Sequence, residues 1–124
     1  MSTPALIGQE RSDDSVIFIT VQWDGYDSLT GNILRKHYGD SELASGLVAL
    51  GDLSQVQPRL SPFPGEAHSF AKPAPGICIA YHRDRGEELS IGKAEDIADF
   101  KRIAREYPRV YLFADGEWKT LKTA

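Results

Sequence analysis

A single cysteine, Cys78, leaves this chain without an intrachain disulfide or a cysteine-built zinc knuckle. Long apolar runs are missing as well. Runs such as Val16–Ile19 and Ile77–Ala80 fall far short of the roughly 20 residues that cross a bilayer. No basic-then-apolar leader opens the chain, so a cytoplasmic protein without membrane contact is expected. The histidines His37, His68 and His82 stand too far apart for a zinc motif, and no metal or other cofactor is expected. Neither Gly-x-Ser-x-Gly, Gly-x-Gly-x-x-Gly nor Gly-x-x-x-x-Gly-Lys-Ser/Thr occurs. A basic excess is absent too: 14 Lys and Arg face 18 Asp and Glu, for a net charge of −4. That balance does not suit direct, nonspecific nucleic-acid binding.

What remains is ordinary for a globular chain, with 41% hydrophobic and 26% charged residues over 124 positions. One domain, 1–124, is expected. Val16-Ile17-Phe18-Ile19-Thr20-Val21-Gln22-Trp23 is β-branched and aromatic and reads as a strand buried on both faces. Ala5–Ile7 allows a short strand or a loose terminus. A helix is predicted from Ser28, with Ser28 as cap, Leu29, Ile33, Leu34 and His37 on one face, and Gly39 just past its end. A second is predicted from Ser41 to Leu50, capped by Asp40, striped by Leu43, Leu47 and Leu50, and closed by Gly51. Five of the seven prolines fall between Gln57 and Gly76, which excludes a helix or central strand there and predicts a proline-rich crossover loop. Ile77–Tyr81 reads as a strand running into the charged tail His82–Glu88. Ile97, Phe100, Ile103, Ala104 and Tyr107 predict an amphipathic helix over 93–107, stopped by Pro108. Asp115-Gly116 between two apolar runs predicts a C-terminal hairpin. The expected fold is α+β: a mainly antiparallel sheet of four or five strands, with about three helices on one face.

Two corners hold the residues of interest. Trp23-Asp24-Gly25-Tyr26-Asp27 places aromatic faces beside carboxylates where a strand ends. Tyr81-His82-Arg83-Asp84-Arg85 gathers charge at the end of another. In an extended strand exit Arg83 and Arg85 point to one side, where they could fork onto a phosphate or carboxylate. The simpler reading pairs them with Asp84, Glu87 or Asp24. His82 with Asp84 or Glu87 could serve as acid and base, whereas Cys78 lies in an apolar strand, where a thiol is inert. The two corners form one site only if they lie side by side. Charge is uneven: residues 1–58 hold three basic and eight acidic side chains, and residues 59–124 hold eleven and ten. The front half therefore reads as an acidic surface, among it Asp13, Asp14, Asp40 and Glu42.

Gln22-Trp23-Asp24-Gly25-Tyr26, Gly51-Asp52-Leu53-Ser54 and Tyr81-His82-Arg83-Asp84-Arg85-Gly86-Glu87 together resemble segments of a family of small bacteriophage and prophage proteins. That family carries His-Trp-Asp-Gly-Tyr-Pro and Tyr-His-Arg-Asp-Arg-Gly-Glu segments. Gln22 and Asp27 stand where its histidine and proline would be. The resemblance implies no reaction. It implies an accessory role in a host bacterial cell, such as inhibition of a defence system of the CRISPR kind, with a defence protein or ribonucleoprotein complex as partner. In that setting the acidic side chains would oppose a basic surface. Alternatively, Trp23, Tyr26, Tyr81, Arg83 and Arg85 would clamp a nucleotide-like anion.

Overall fold

β1 (Ala5–Glu10) and β2 (Val16–Val21) pair antiparallel from Ala5 opposite Val21 to Glu10 opposite Val16. Asp14 in left-handed backbone and the Asp13 carboxylate, which accepts from the Ser15 N–H, close the turn between them. This is a computed structural model, and it describes residues 3–122. The short apolar start is thus no loose terminus. β1 is flanked on its other side by β6 (Val110–Ala114), which runs parallel to it, and Ala5–Gln9 is buried throughout. β6 turns at Asp115-Gly116, both at positive φ as a two-residue hairpin requires, into β7 (Glu117–Lys122).

The far edge of β2 has two neighbours. Its first half, Val16–Phe18, pairs antiparallel with β5 (Gly92–Ala94), whereas Val21 pairs parallel with β3 (Leu53–Gln55). β3 in turn meets β4 (Ile79–Ala80) antiparallel. The described residues therefore form a mixed sheet of seven strands, ordered β4-β3-β2-β1-β6-β7 with β5 beside β2. The expected four or five strands omit β3 and β5, whose three residues are too few to show a period.

Alternation along the central strands sends side chains to two cores. Ala5, Ile7, Ile19, Val21 and Tyr111 face α1 (Asn32–His37) and α2 (Ser41–Ala49), packing on Leu34, Tyr38, Leu47 and Val48. Leu6, Val16, Val110 and Leu112 face Phe100 and Ala104 on and just after α4 (Ile97–Ile103). Helices thus cover both faces, correcting the expectation of one, and the near-continuous apolarity of these strands follows from it. Two glycines let the aromatic rings of the second core approach the sheet. A Cβ on Gly8 would lie 2.7 Å from the Phe100 ring, and one on Gly92, directly opposite Phe18, only 2.2 Å from that ring.

Several boundaries differ from those expected. β2 ends at Val21, so Trp23 lies beyond it. The first helix opens as a wide π-turn over Asp27–Gly31, without a side-chain cap from Ser28. That turn swings Leu29 outward, and Leu34 and Tyr38 occupy the core position in place of His37. Gly39 is not left-handed. Asp40 does cap α2, accepting the Leu43 N–H at 2.8 Å, but the buried stripe is Ala44, Leu47 and Val48, with Leu43 exposed. The predicted helix over 93–107 starts only after Asp96 caps it, because Lys93 and Ala94 belong to β5, and it ends as a 3₁₀ turn over Ala104–Glu106. The predicted strand Ile77–Tyr81 is reduced to β4, and Tyr81–Arg85 coils into the short helix α3, which Gly86 ends at φ 73°.

Register fixes which loops share an end of the sheet. Ala5 opposes Val21, Leu6 opposes Val110, Val21 opposes Leu53 and Leu53 opposes Ala80. Hence Thr3-Pro4, Gln22–Asp27, Asp52, Tyr81–Glu87 and Tyr107–Arg109 gather at one end. Asp13 and Asp14 lie at the opposite end. Asp40 and Glu42 join them there, because the Gln9 amide near the far end of β1 bonds the Ser41 carbonyl. The acidic front half is therefore two separated groups of side chains, since a hairpin sends its turn and its ends apart.

Candidate functional site

Both sequence corners lie at this one end, and a hydrogen bond from the Tyr81 hydroxyl to Gln22 Oε1 joins them. Between them opens a cleft of about 450 Å³ lined in part by Pro4, Thr20 and Val21. Tyr81 and Tyr107 line it, together with Asp52, Gln22, Arg85 and Glu87. A smaller hollow beside it adds His82, Glu88 and Ser90. Asp52 is held by the sheet itself. At the junction where β3 and β5 leave β2 without a partner strand, Asp52 Oδ1 accepts the Thr20 N–H at 3.0 Å. Burial, followed by the neighbouring charges of Asp52 and Glu106, pushes the Tyr107 phenol up, so Tyr107 stays neutral and can donate a hydrogen bond.

The helical turn of α3 sends the two arginines different ways, correcting the expectation that they share a side. Arg85 pairs with Glu87, and its guanidinium lies over Phe70 at 4.4 Å and Tyr81 at 4.8 Å. Arg83 turns inward. It forks onto Asp84 at 2.8 and 3.0 Å and donates to the carbonyls of Leu60 and Cys78. Local ion pairing, the simpler of the two readings, is the one found.

Asp84 is also not the partner of His82. Its carboxylate, 4% exposed, meets His68 Nε2 at 3.1 Å and the Ala80 N–H at 2.8 Å. His68 comes from the proline-rich loop and is itself buried, 2% exposed. Its Nδ1 accepts the Ala74 N–H at 2.9 Å, so the ring proton sits on Nε2 and points at Asp84. Both nitrogens of the His68 ring are thereby engaged by the fold. Burial pushes the Asp84 carboxyl up, but hydrogen bonds from Arg83, Ala80 and His68 outweigh it and hold the group below the ordinary carboxylate range. This network clasps the loop to α3. A second anchor is the fork of Arg59 on Glu66 at 3.0 and 3.1 Å.

His82 is exposed and donates from Nδ1 to the Glu87 carbonyl at 2.7 Å. Cys78 is buried, and burial pushes its thiol up. Its sulfur bonds Tyr38 and Gln57, all at 3.3 Å, so it acts as a core residue and no thiolate is available.

At the Trp23 corner the side chains diverge from the cleft. Asp24 accepts from Gln55, and Asp27 pairs with Arg35 at 2.9 Å, whose hydrogen bond holds the Asp27 carboxyl low. Tyr26 lies under the Arg109 guanidinium at 4.7 Å. Trp23, Tyr26 and Leu29 are 39%, 41% and 45% exposed. Trp23, Arg83 and Arg85 thus do not converge on one anion site. Arg109, over Tyr26, has no ion pair among the described residues; nor do Lys101, Arg105 and Lys122, which surround a separate groove of about 320 Å³ over Val110 and Leu121.

Asp52 and Tyr107 are the site residues that sequence reasoning passes over. Asp52 stands inside a segment used only for resemblance, and Tyr107 reads as the last apolar position of a helix. Among the described residues no group of three or more His, Cys, Asp or Glu is placed to hold a metal ion, and no helix is long and apolar enough to cross a membrane. Comparison of the chain with protein-family models, with curated proteins and with solved structures returns no match.

Proposed function

We propose that the protein works by binding a macromolecular partner and leaves it chemically unaltered. The observation that carries this reading is the exposure of Trp23, Tyr26 and Leu29 at the end of the sheet that also holds Asp24 and Asp52. Large aromatic side chains left out of the core beside carboxylates are the usual anchors of an interface. Of the groups that could do acid–base or nucleophilic work, His68 and Asp84 are bound to each other and Cys78 to the core.

Taken with the resemblance to phage and prophage proteins, the partner is a host defence protein or ribonucleoprotein complex of the CRISPR kind, met in the bacterial cytoplasm. Acidic side chains at this end would compete for Lys and Arg that otherwise hold phosphate. Expression in a host with active immunity tests the idea. Relief of interference, together with binding to the purified effector that weakens at least tenfold in Trp23→Ala, supports it. Unchanged immunity and no association with any purified effector overturn it. A second reading, binding of an anion, has its support at the Lys101, Arg105 and Lys122 groove and not at Arg83 and Arg85.

A further inference from the structure

The cleft beside Trp23 has two walls built from the same kinds of group, and only one of them holds a cation. On the first wall the Arg85 guanidinium lies over the Tyr81 ring with Glu87 as its counter-ion. Here an aromatic face and a carboxylate together seat a flat cation, the combination that stacking and charge complementarity favour. The second wall offers Tyr107 and Asp52. Among the described residues no lysine or arginine pairs with Asp52 or lies over the Tyr107 ring. The Thr20 N–H takes Asp52 Oδ1 and so fixes the carboxylate, and Oδ2 has no hydrogen bond among the described residues. Arg85 and Glu87 cancel, so Asp52 leaves the cleft with one net negative charge. Pro4, half-buried in the lining of the cleft, supplies an apolar surface suited to the methylene stem of a long side chain.

We propose that the Asp52–Tyr107 wall is a socket for an arginine side chain presented on the surface of a protein partner. The guanidinium would fork onto Asp52 and stack on Tyr107, repeating what Arg85 does opposite. This names the partner chemistry for the binding reading above and rests on it.

The test uses the full chain and N-acetylarginine amide, followed by the backbone amide NMR signals of Gln22, Asp52 and Tyr107. The citrulline compound serves as the uncharged match in shape. Saturable shifts are expected, with a dissociation constant on the order of 1–10 mM for so small a fragment. Citrulline amide should bind at least tenfold more weakly. Asp52→Asn keeps an oxygen for the Thr20 N–H while removing the charge, and should weaken arginine at least tenfold. Should that variant fail to fold, Tyr107→Phe and Tyr107→Leu replace it, the first retaining binding and the second losing it. Absence of saturable shifts, equal binding of citrulline, or an unchanged Asp52→Asn would each overturn the socket. Arginine binding without any defence partner would sink the inhibitor reading alone. Partner binding that Asp52→Asn leaves intact would sink the socket alone.

Discussion

Replacing Asp84 by asparagine removes one charge from the clasp that holds the proline-rich loop, with almost no change in shape. The native carboxylate accepts four hydrogen bonds, two from Arg83 and one each from His68 and Ala80. Asparagine keeps one oxygen, and its amide nitrogen faces donors. Breaking a buried pair by removing one partner costs about 3–5 kcal/mol. Arg83 is 26% exposed and retains two carbonyl acceptors, which softens the loss to about 2–4 kcal/mol. For a chain of this size that lowers Tm by roughly 10 °C. The pH dependence has a definite sign. Asp84 titrates lower in the folded chain than in the unfolded one, so its contribution is complete above the unfolded value of about 3.9 and fades as pH falls through the folded value. Urea midpoints of the two proteins should therefore be well separated at pH 7 and draw together below about pH 4. The variant should also be cut faster by protease between Gln57 and Gly76. A separation under about 0.5 kcal/mol at pH 7, within the range of an ordinary surface substitution, would refute the clasp.

Two further substitutions test the packing. Gly8→Ala would press a methyl into the Phe100 ring and cost about 1–3 kcal/mol by urea denaturation. Adding Phe100→Leu should return part of that loss, and strictly additive effects would contradict the close contact. Asp40→Ala removes the acceptor for the Leu43 N–H and should cost about 1 kcal/mol in the same assay.

What the sequence shows and what it hides divides by range. The Asp115-Gly116 hairpin, the Asp40 cap and the turn at Gly51 are set by a few consecutive residues, and the structure has each. β3 and β5 exist because β2 offers an edge to pair with, and nothing within their own three residues announces it. Both faces of the sheet being covered was written in the unbroken apolarity of Val16–Ile19, yet that pattern does not say which helices do the covering. The partner of Asp84 is similarly hidden. His68 lies sixteen residues earlier in the chain and His82 only two, and proximity along the chain favours the wrong one. Arg83 and Arg85 went astray for a local reason: two residues apart they share a side in a strand and diverge in a helical turn. At the site, Trp23 and Tyr81 are legible as aromatic side chains among charges. Asp52 and Tyr107 become visible only when the register brings the ends of β1, β2, β3 and β6 together.

Asp52 fills a gap between two strands as well as lining a cleft, and the two duties constrain each other. Any lineage that discards the side chain leaves the Thr20 amide unbonded in the sheet, so the scaffold itself penalises drift at this position. Gln22, Glu87 and Tyr107 carry no such burden, since among the described residues none of their side chains bonds a backbone group of the sheet. Substitution at those three positions therefore alters the lining of the cleft without unpairing Thr20, whereas substitution at Asp52 does both at once.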